Sequence, residues 1–277
     1  MRTVTLPGGE QVPQLGIGTW RMGERAAARA DEVAVIRLAL EQGITVFDTA
    51  EMYAEGGAEL ILGEAIAGRR DDAFVVSKVY PHNASRRGIP AACERSLQRL
   101  RTDRIDLYLL HWQGSHPLAE TIDAFERLRR DGKIRHWGVS NLDVEAVEAL
   151  VALPEGARCA TDQVHYSVSS RGIEFDLLPW MRARGLPTMA YSPLDEGRLA
   201  GNATLQEIGA RHGASAAQVA LAWAMREPDV IAIPRTVTPR HLLDNRAAAE
   251  LRLTPRDLAE IDRRFAPPTA KRPLSMI

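Results

Sequence analysis

Four side chains of complementary chemistry end or follow short apolar runs: Asp48, Tyr53, Lys78 and His111. Asp48 closes the run 43–47, with Tyr53 in the turn after it; Lys78 ends Phe74-Val75-Val76-Ser77, and His111 ends Ile105-Asp106-Leu107-Tyr108-Leu109-Leu110. A phenol has a pKa of about 10, too high for an efficient acid near neutrality. An ammonium beside it favours the phenolate and lowers that value. A carboxylate keeps such an ammonium charged and oriented, and an imidazole can hydrogen-bond a carbonyl oxygen and position it. Together the four would protonate an oxygen that is turning into an alkoxide, the task left when a hydride arrives at a carbonyl carbon. Each has a plainer reading alone: a loop cap, a surface aromatic, a salt-bridge partner, a satisfied core histidine. Four reactive types on successive strand ends favour chemistry.

The elements that must position them alternate along the chain. Residues 3–6 and 11–14 flank Pro7-Gly8-Gly9-Glu10 and predict a hairpin able to plug one end of a larger sheet. Strands are expected at 15–20, 43–47, 74–78, 105–111, 134–139, 161–164, 187–191 and 230–233. Helical patterns fall at 26–42, 58–67, 90–99, 118–130, 144–153, 175–184, 204–212, 215–226 and 239–249, with a last one from 254 to 265. Short apolar strands alternating with amphipathic helices predict a parallel sheet covered by helices. Eight such units at this length fit a closed α/β barrel, the (β/α)8 TIM barrel, with the hairpin capping its bottom. No composition break or linker interrupts residues 1–277, which predicts a single domain. Gly16-Ile17-Gly18 is no dinucleotide fingerprint, because Arg21 stands where a third glycine belongs.

Bulk properties narrow the function classes. The 277 residues carry a formal net charge of -1 and are 45% hydrophobic, with no electrostatic footprint for nucleic acid or an acidic membrane. Cys93 and Cys159 make neither a disulfide framework nor a metal spacing, and a reducing compartment follows. His111 and His116 are a poor ligand pair, so no metal is expected. The first residues lack the apolar core of a signal peptide, and no run approaches a membrane span. The expectation is a cytoplasmic protein, a monomer, acting on a small molecule.

The motifs Leu15-Gly16-Ile17-Gly18-Thr19-Trp20, Phe47-Asp48-Thr49-Ala50 with Tyr53, Ser77-Lys78 and Leu109-Leu110-His111-Trp112 occur in that order. They continue with Gly132-Lys133-Ile134-Arg135, Gly138-Val139-Ser140-Asn141, Gln163 and Tyr191-Ser192-Pro193-Leu194. In this order they resemble the aldo-keto reductase family over nearly the whole chain. The resemblance implies a barrel that binds NADPH without a Rossmann domain. It also implies Tyr53 as general acid, Asp48 and Lys78 as its tuners and His111 as the orienting group.

Cofactor contacts carry over by the same motifs. Ser140, Asn141 and Gln163 match the groups that hold the nicotinamide carboxamide, and Tyr191 the aromatic that stacks on the ring. Gly18, Thr19, Trp20 and Asp48 join them at the mouth, and the stretch Ser192, Pro193, Leu194, Gly197 and Leu199 would follow the pyrophosphate. Ile233, Pro234, Arg235 and Thr236, with His241, Asp244 and Asn245, resemble the site for the adenosine 2′-phosphate and adenine. Many members have Lys-Ser where this chain has Arg235-Thr236; arginine still binds a phosphate bidentately, which favours NADPH over NADH. Trp20, Tyr80 and Trp112, beside Tyr53 and His111, are candidates to line the substrate pocket. The short segment after Phe265 predicts an open, tolerant site, and the chain most resembles bacterial members that reduce small aldehydes such as methylglyoxal. Two rival readings are a Schiff-base lyase using Lys78 as nucleophile and a non-catalytic, NADP-binding redox-sensing subunit of the same fold.

Overall fold

The computed structural model describes residues 1–277. Strands β1 (Thr3–Thr5) and β2 (Gln11–Pro13) pair antiparallel, Val4 opposite Val12. Gly9 turns the chain at φ 85°, a conformation that only glycine adopts without strain. The strands alternate as a half-buried ribbon should: Thr3, Thr5 and Gln11 face solvent, while Val4, Val12 and the nearby Leu6 are buried. Those apolar side chains join a cluster with Val46, Val76, Leu107, Met189 and Ile231, the interior of the larger sheet. The hairpin therefore plugs one end of that sheet, as its turn chemistry predicts.

Eight strands follow in chain order, each parallel to the next: β3 (Gly16–Gly18), β4 (Val46–Asp48), β5 (Phe74–Val79), β6 (Ile105–Leu110), β7 (Ile134–Ser140), β8 (Asp162–His165), β9 (Thr188–Tyr191) and β10 (Val230–Ile233). The sheet closes where β10 meets β3 through bridges at Leu15–Ala232 and Gly18–Arg235; Ala232 N–H donates to Gln14 O at 2.8 Å and Gly18 N–H to Pro234 O at 3.2 Å. At this seam a Cβ on Gly18 would lie 3.1 Å from the Ile233 carbonyl oxygen, so a side chain would press on the closure. The result is an (β/α)8 barrel with both faces of its sheet covered, and hence with continuous apolar strands.

Helices α1 (Arg29–Glu41), α2 (Gly57–Ala65), α3 (Gly88–Leu100), α4 (Leu118–Arg130) and α5 (Val144–Val151) cover the first five strands of the barrel. They are followed by α6 (Leu177–Arg182), α7 (Ala203–His212), α8 (Ala216–Ala224), α9 (Pro239–Ala248) and α10 (Pro255–Arg264). In α4, Ile122, Phe125 and Leu128 form the buried stripe, and the Phe125 ring stacks on Trp137 of β7 at 5.7 Å. Asp131-Gly132 ends it, with Gly132 at φ 72°. The sixth helix is shorter than the 175–184 its pattern predicts: Asp176 caps it by accepting from Leu177 N–H, and Gly185 at φ 65° ends the segment.

Strand alternation explains the placement of polar residues. Side chains at every second position fill the interior: Val46 on β4, Val76 on β5, Leu107 and Leu109 on β6, Met189 on β9. One step further along the same inward rows stand Asp48, Lys78, His111 and Tyr191. The barrel's last layer is thus polar because each strand's period is carried one residue beyond its apolar core.

Candidate active site

Lys78 is fully buried, and its ammonium donates to three oxygens: Asp48 Oδ2 at 2.7 Å, the Thr49 carbonyl at 2.9 Å and the Tyr53 hydroxyl at 3.1 Å. Burial alone would lower the lysine's pKa, but Asp48 and the Tyr53 oxygen outweigh it and hold it above its ordinary value. The Asp48 carboxylate accepts a second bond, from Gln163 Nε2 at 2.7 Å. Every strong partner in this buried pair is satisfied, which is what permits two charges in a dry site.

Tyr53 reaches the ammonium from outside the strands. It opens a short 3-10 turn after β4, and the next three residues, Ala54, Glu55 and Gly56, all have positive φ. For alanine and glutamate such backbone costs roughly 1–3 kcal/mol each, strain of the kind found at functional sites. The turn folds the half-buried phenol back over the mouth, its ring 5.8 Å from the His111 ring and nearly perpendicular to it. One expectation is corrected here. Lys78 does pull the phenol's pKa down, but burial, helped by Asp48, raises it more, so Tyr53 is a weaker acid than a free tyrosine. Sequence shows the neighbouring cation; it does not show how thoroughly water is excluded.

His111 lies one residue beyond β6 and is 8% exposed. Burial, with Lys78 beside it, lowers its pKa to about 2, so the ring is neutral at physiological pH. A neutral imidazole carries one N–H to donate and cannot compete with Tyr53 as proton source. Trp112 packs against it at 4.9 Å and against Tyr80 at 5.0 Å, which brings two of the three proposed pocket aromatics together. Trp20, the third, is 36% exposed, with the Arg21 guanidinium 4.3 Å above its ring.

The proposed nicotinamide groups sit around the same rim. Ser140 Oγ donates to the Gln163 carbonyl at 2.7 Å, Asn141 Nδ2 to the His111 carbonyl at 3.2 Å, and the Tyr191 hydroxyl to Asn141 Oδ1 at 2.9 Å. Asn141, at φ 59°, uses the left-handed conformation that asparagine tolerates better than most residues. Beyond β9, Ser192, Asp195, Glu196 and Gly197 all have positive φ and coil the chain tightly; Pro193 and Leu199 are buried, Leu194 half-buried. The segment is a compact turn, in keeping with its short sequence.

On the next strand end round from Tyr191, Arg235 follows β10, exposed and without a carboxylate partner within salt-bridge distance. Partial burial depresses its pKa; Glu32 and Glu24 oppose that, while Arg21 and Arg25 add repulsion. Arg21 and Arg25 are site candidates that the sequence reading missed, although they follow Gly18-Thr19-Trp20 directly. Thr236 is buried and its Oγ1 accepts from Thr238 N–H, fixing the entry to α9. His241 is exposed, Asp244 half-buried and Asn245 buried on that helix. A surplus of cations beside a helix N-terminus suits a phosphate.

Behind the rim, Asp162 of β8 is fully buried with both carboxyl oxygens lacking a hydrogen-bond partner at normal distance. Burial raises its pKa well above the carboxylate range, against a pull from the Leu142 backbone. A carboxyl whose folded pKa is raised costs nothing below its unfolded value. Above that value it weakens the fold until the folded pKa is reached. Asp162→Asn should therefore leave thermal stability unchanged near pH 4 and raise it progressively above, by up to about 1.4 kcal/mol per pH unit until the folded pKa is reached. Melting curves of both proteins from pH 4 to 8 check this; parallel pH dependences would refute it.

No helix is long and apolar enough to cross a membrane. The Aldo/keto reductase family model matches residues 14–264. Among curated proteins the chain is 49% identical to methylglyoxal reductase YeaE of Escherichia coli (strain K12), covering 100% of this chain and 99% of that one. It is 32% identical to glyoxal reductase of Bacillus subtilis (strain 168), over 94% of this chain and 91% of the other. Among solved structures, an aldo/keto reductase from Klebsiella pneumoniae in complex with NADP and acetate superposes with a TM-score of 0.98 at 48% identity, covering 100% and 99% of the two chains. The family model spanning residues 14–264 and the full-length relative at 49% identity place this chain in the aldo/keto reductase family.

Proposed function

We propose that the protein reduces small aldehydes and ketones to alcohols with NADPH, 2-oxoaldehydes of the methylglyoxal type among them, with Tyr53 as proton donor. The observation that carries this reading is the buried Lys78 ammonium, 2.7 Å from Asp48 and 3.1 Å from the Tyr53 hydroxyl, beside a neutral His111. The residues suit the cofactor: Arg235 is exposed, without a carboxylate partner and able to take a phosphate, and Gln163, though tied to Asp48, keeps its amide oxygen for a carboxamide. Ser140, Asn141 and Gln163 would hold the carboxamide, Tyr191 the ring, and Arg235 with Thr236, His241, Asp244 and Asn245 the adenosine end. Gly18, Thr19, Trp20, Ser192, Leu194, Gly197 and Leu199 would line its path.

Bound NADPH supplies the hydride that reduces the carbonyl carbon. His111 donates a hydrogen bond to the carbonyl oxygen and sets its position. As charge grows on that oxygen, Tyr53 transfers its proton and the product leaves as a neutral alcohol. An alkoxide is a far stronger base than a phenolate, so even the weakly acidic Tyr53 gives its proton up. The phenolate left behind is stabilised by Lys78, which Asp48 keeps charged. Trp112 and Tyr80 would give the pocket an apolar wall. A raised lysine pKa works against the Schiff-base reading, since an imine needs the free amine.

Following NADPH oxidation with methylglyoxal and a panel of small aldehydes and ketones tests the proposal. Tight NADPH binding with no turnover on any of them would support the redox-sensing alternative instead, and borohydride trapping of substrate on Lys78 would support the lyase. Arg235→Leu should weaken NADPH binding about 10- to 100-fold, the equivalent of one charge-assisted contact, and leave NADH binding within about twofold. Equal losses for both nucleotides would remove Arg235 from the 2′-phosphate.

A further inference from the structure

We propose that His165 is a positioning residue that fixes the plane of Tyr191 for nicotinamide stacking, and that segment 271–277 locks His165 in place; this rests on the NADP reading above. His165 ends β8 directly opposite Tyr191 on β9, and the two rings lie nearly parallel, 5.5 Å apart at 13°. Tyr191 is tied at its tip, through its hydroxyl, to Asn141. A ring held only at its tip can still rock about that axis, and contact along its face removes this freedom.

The histidine itself is secured from one side. It is buried, its Nε2 has no partner, and its polar tie is Nδ1 to Ser275 Oγ at 3.0 Å. Ser275 is held in turn, because Leu274 packs on the barrel's outer core and Lys271 pairs with Glu145. The short segment from which the sequence predicts an open, tolerant site therefore packs over the β8–β9 side of the mouth. Its polar contact falls on the β8–β9 groups proposed for the nicotinamide, while Arg235 belongs to the loop after the neighbouring strand β10. His165 covers one face of Tyr191, and the nicotinamide would stack on the other.

Placement at that end makes a distinctive prediction: loss of His165 must weaken NADPH and NADH alike, since they share the nicotinamide. Equilibrium titration of the full chain, read by quenching of tryptophan fluorescence, should show His165→Ala raising both dissociation constants by the same factor, about three- to tenfold. His165→Phe keeps a stacking face and should stay within about twofold of the unaltered protein. Ser275→Ala removes the lock and should weaken both nucleotides by a smaller common factor. Affinities unchanged in His165→Ala, a loss confined to NADPH, or His165→Phe as weak as His165→Ala would each overturn the proposal. If His165→Ala does not fold, Ser275→Ala decides, and unchanged affinity there overturns it. Failure of the unaltered chain to bind either nucleotide would instead sink the NADP reading itself.

Discussion

Replacing Tyr53 by phenylalanine is expected to lower kcat for aldehyde reduction by roughly 10²- to 10⁴-fold, the usual contribution of a positioned acid, while NADPH affinity stays within about twofold. The substitution removes one oxygen and leaves the ring that faces His111. The fold should tolerate it. Lys78 keeps its bonds to Asp48 and the Thr49 carbonyl, so no buried charge is stranded, and the ring is only half-buried. Because the effect is confined to proton transfer, kcat and kcat/KM should fall together. The pH profile gives an independent check. Burial raises the Tyr53 pKa, so the acid stays loaded through neutrality and reduction should decline only on the alkaline side, above about pH 10. His111, lowered to about 2, should contribute no limb near pH 6.5. Steady-state rates with and without the hydroxyl, from pH 5 to above pH 10, test both points. Undiminished turnover in Tyr53→Phe would remove Tyr53 from the reaction.

How much of this could be read from the chain depends on the range of the interaction. Lys78 and His111 were legible because a strand has a period of two: an apolar row with a polar residue at its next inward step needs only local sequence to be seen. The closure of β10 on β3 was legible from the count of strands rather than from any residue in them. The sign of the Tyr53 shift was not, because it depends on how much water the whole mouth excludes. Gln163 matched a cofactor motif, yet its bond to Asp48 joins positions far apart in the chain and is visible only after closure. The role of Asp162 was hidden for the same reason, since a strand-start aspartate gives no sign of whether its carboxyl will be solvated. The segment 271–277 has no helical or strand period to read; its docking depends on Leu274 and Ser275 each finding a partner that other elements present.

Lys78→Met should abolish measurable reduction and destabilise the protein by about 3–5 kcal/mol, while the double variant Lys78→Met with Asp48→Asn recovers most of the stability and none of the activity. The single change leaves the Asp48 carboxylate buried at 3% exposure with only Gln163 to support it. An uncompensated charge in that position is the principal loss, so removing the charge from Asp48 should restore the fold. Activity follows different logic. The phenolate formed at Tyr53 needs a cation within hydrogen-bond reach, and an asparagine at position 48 cannot supply one. Opposite behaviour of stability and turnover in the double variant would thus separate the two roles of Lys78. Alkaline unfolding gives the matching sign for the unaltered protein. The lysine's folded pKa is raised, so its contribution is complete below about pH 10.4, the unfolded value, and is lost as pH climbs through the folded value. Urea unfolding of the three proteins at neutral pH, and of the unaltered protein up to pH 11, measures these effects. A double variant that regains turnover along with stability would mean that Lys78 only neutralises Asp48, and that Tyr53 works without it.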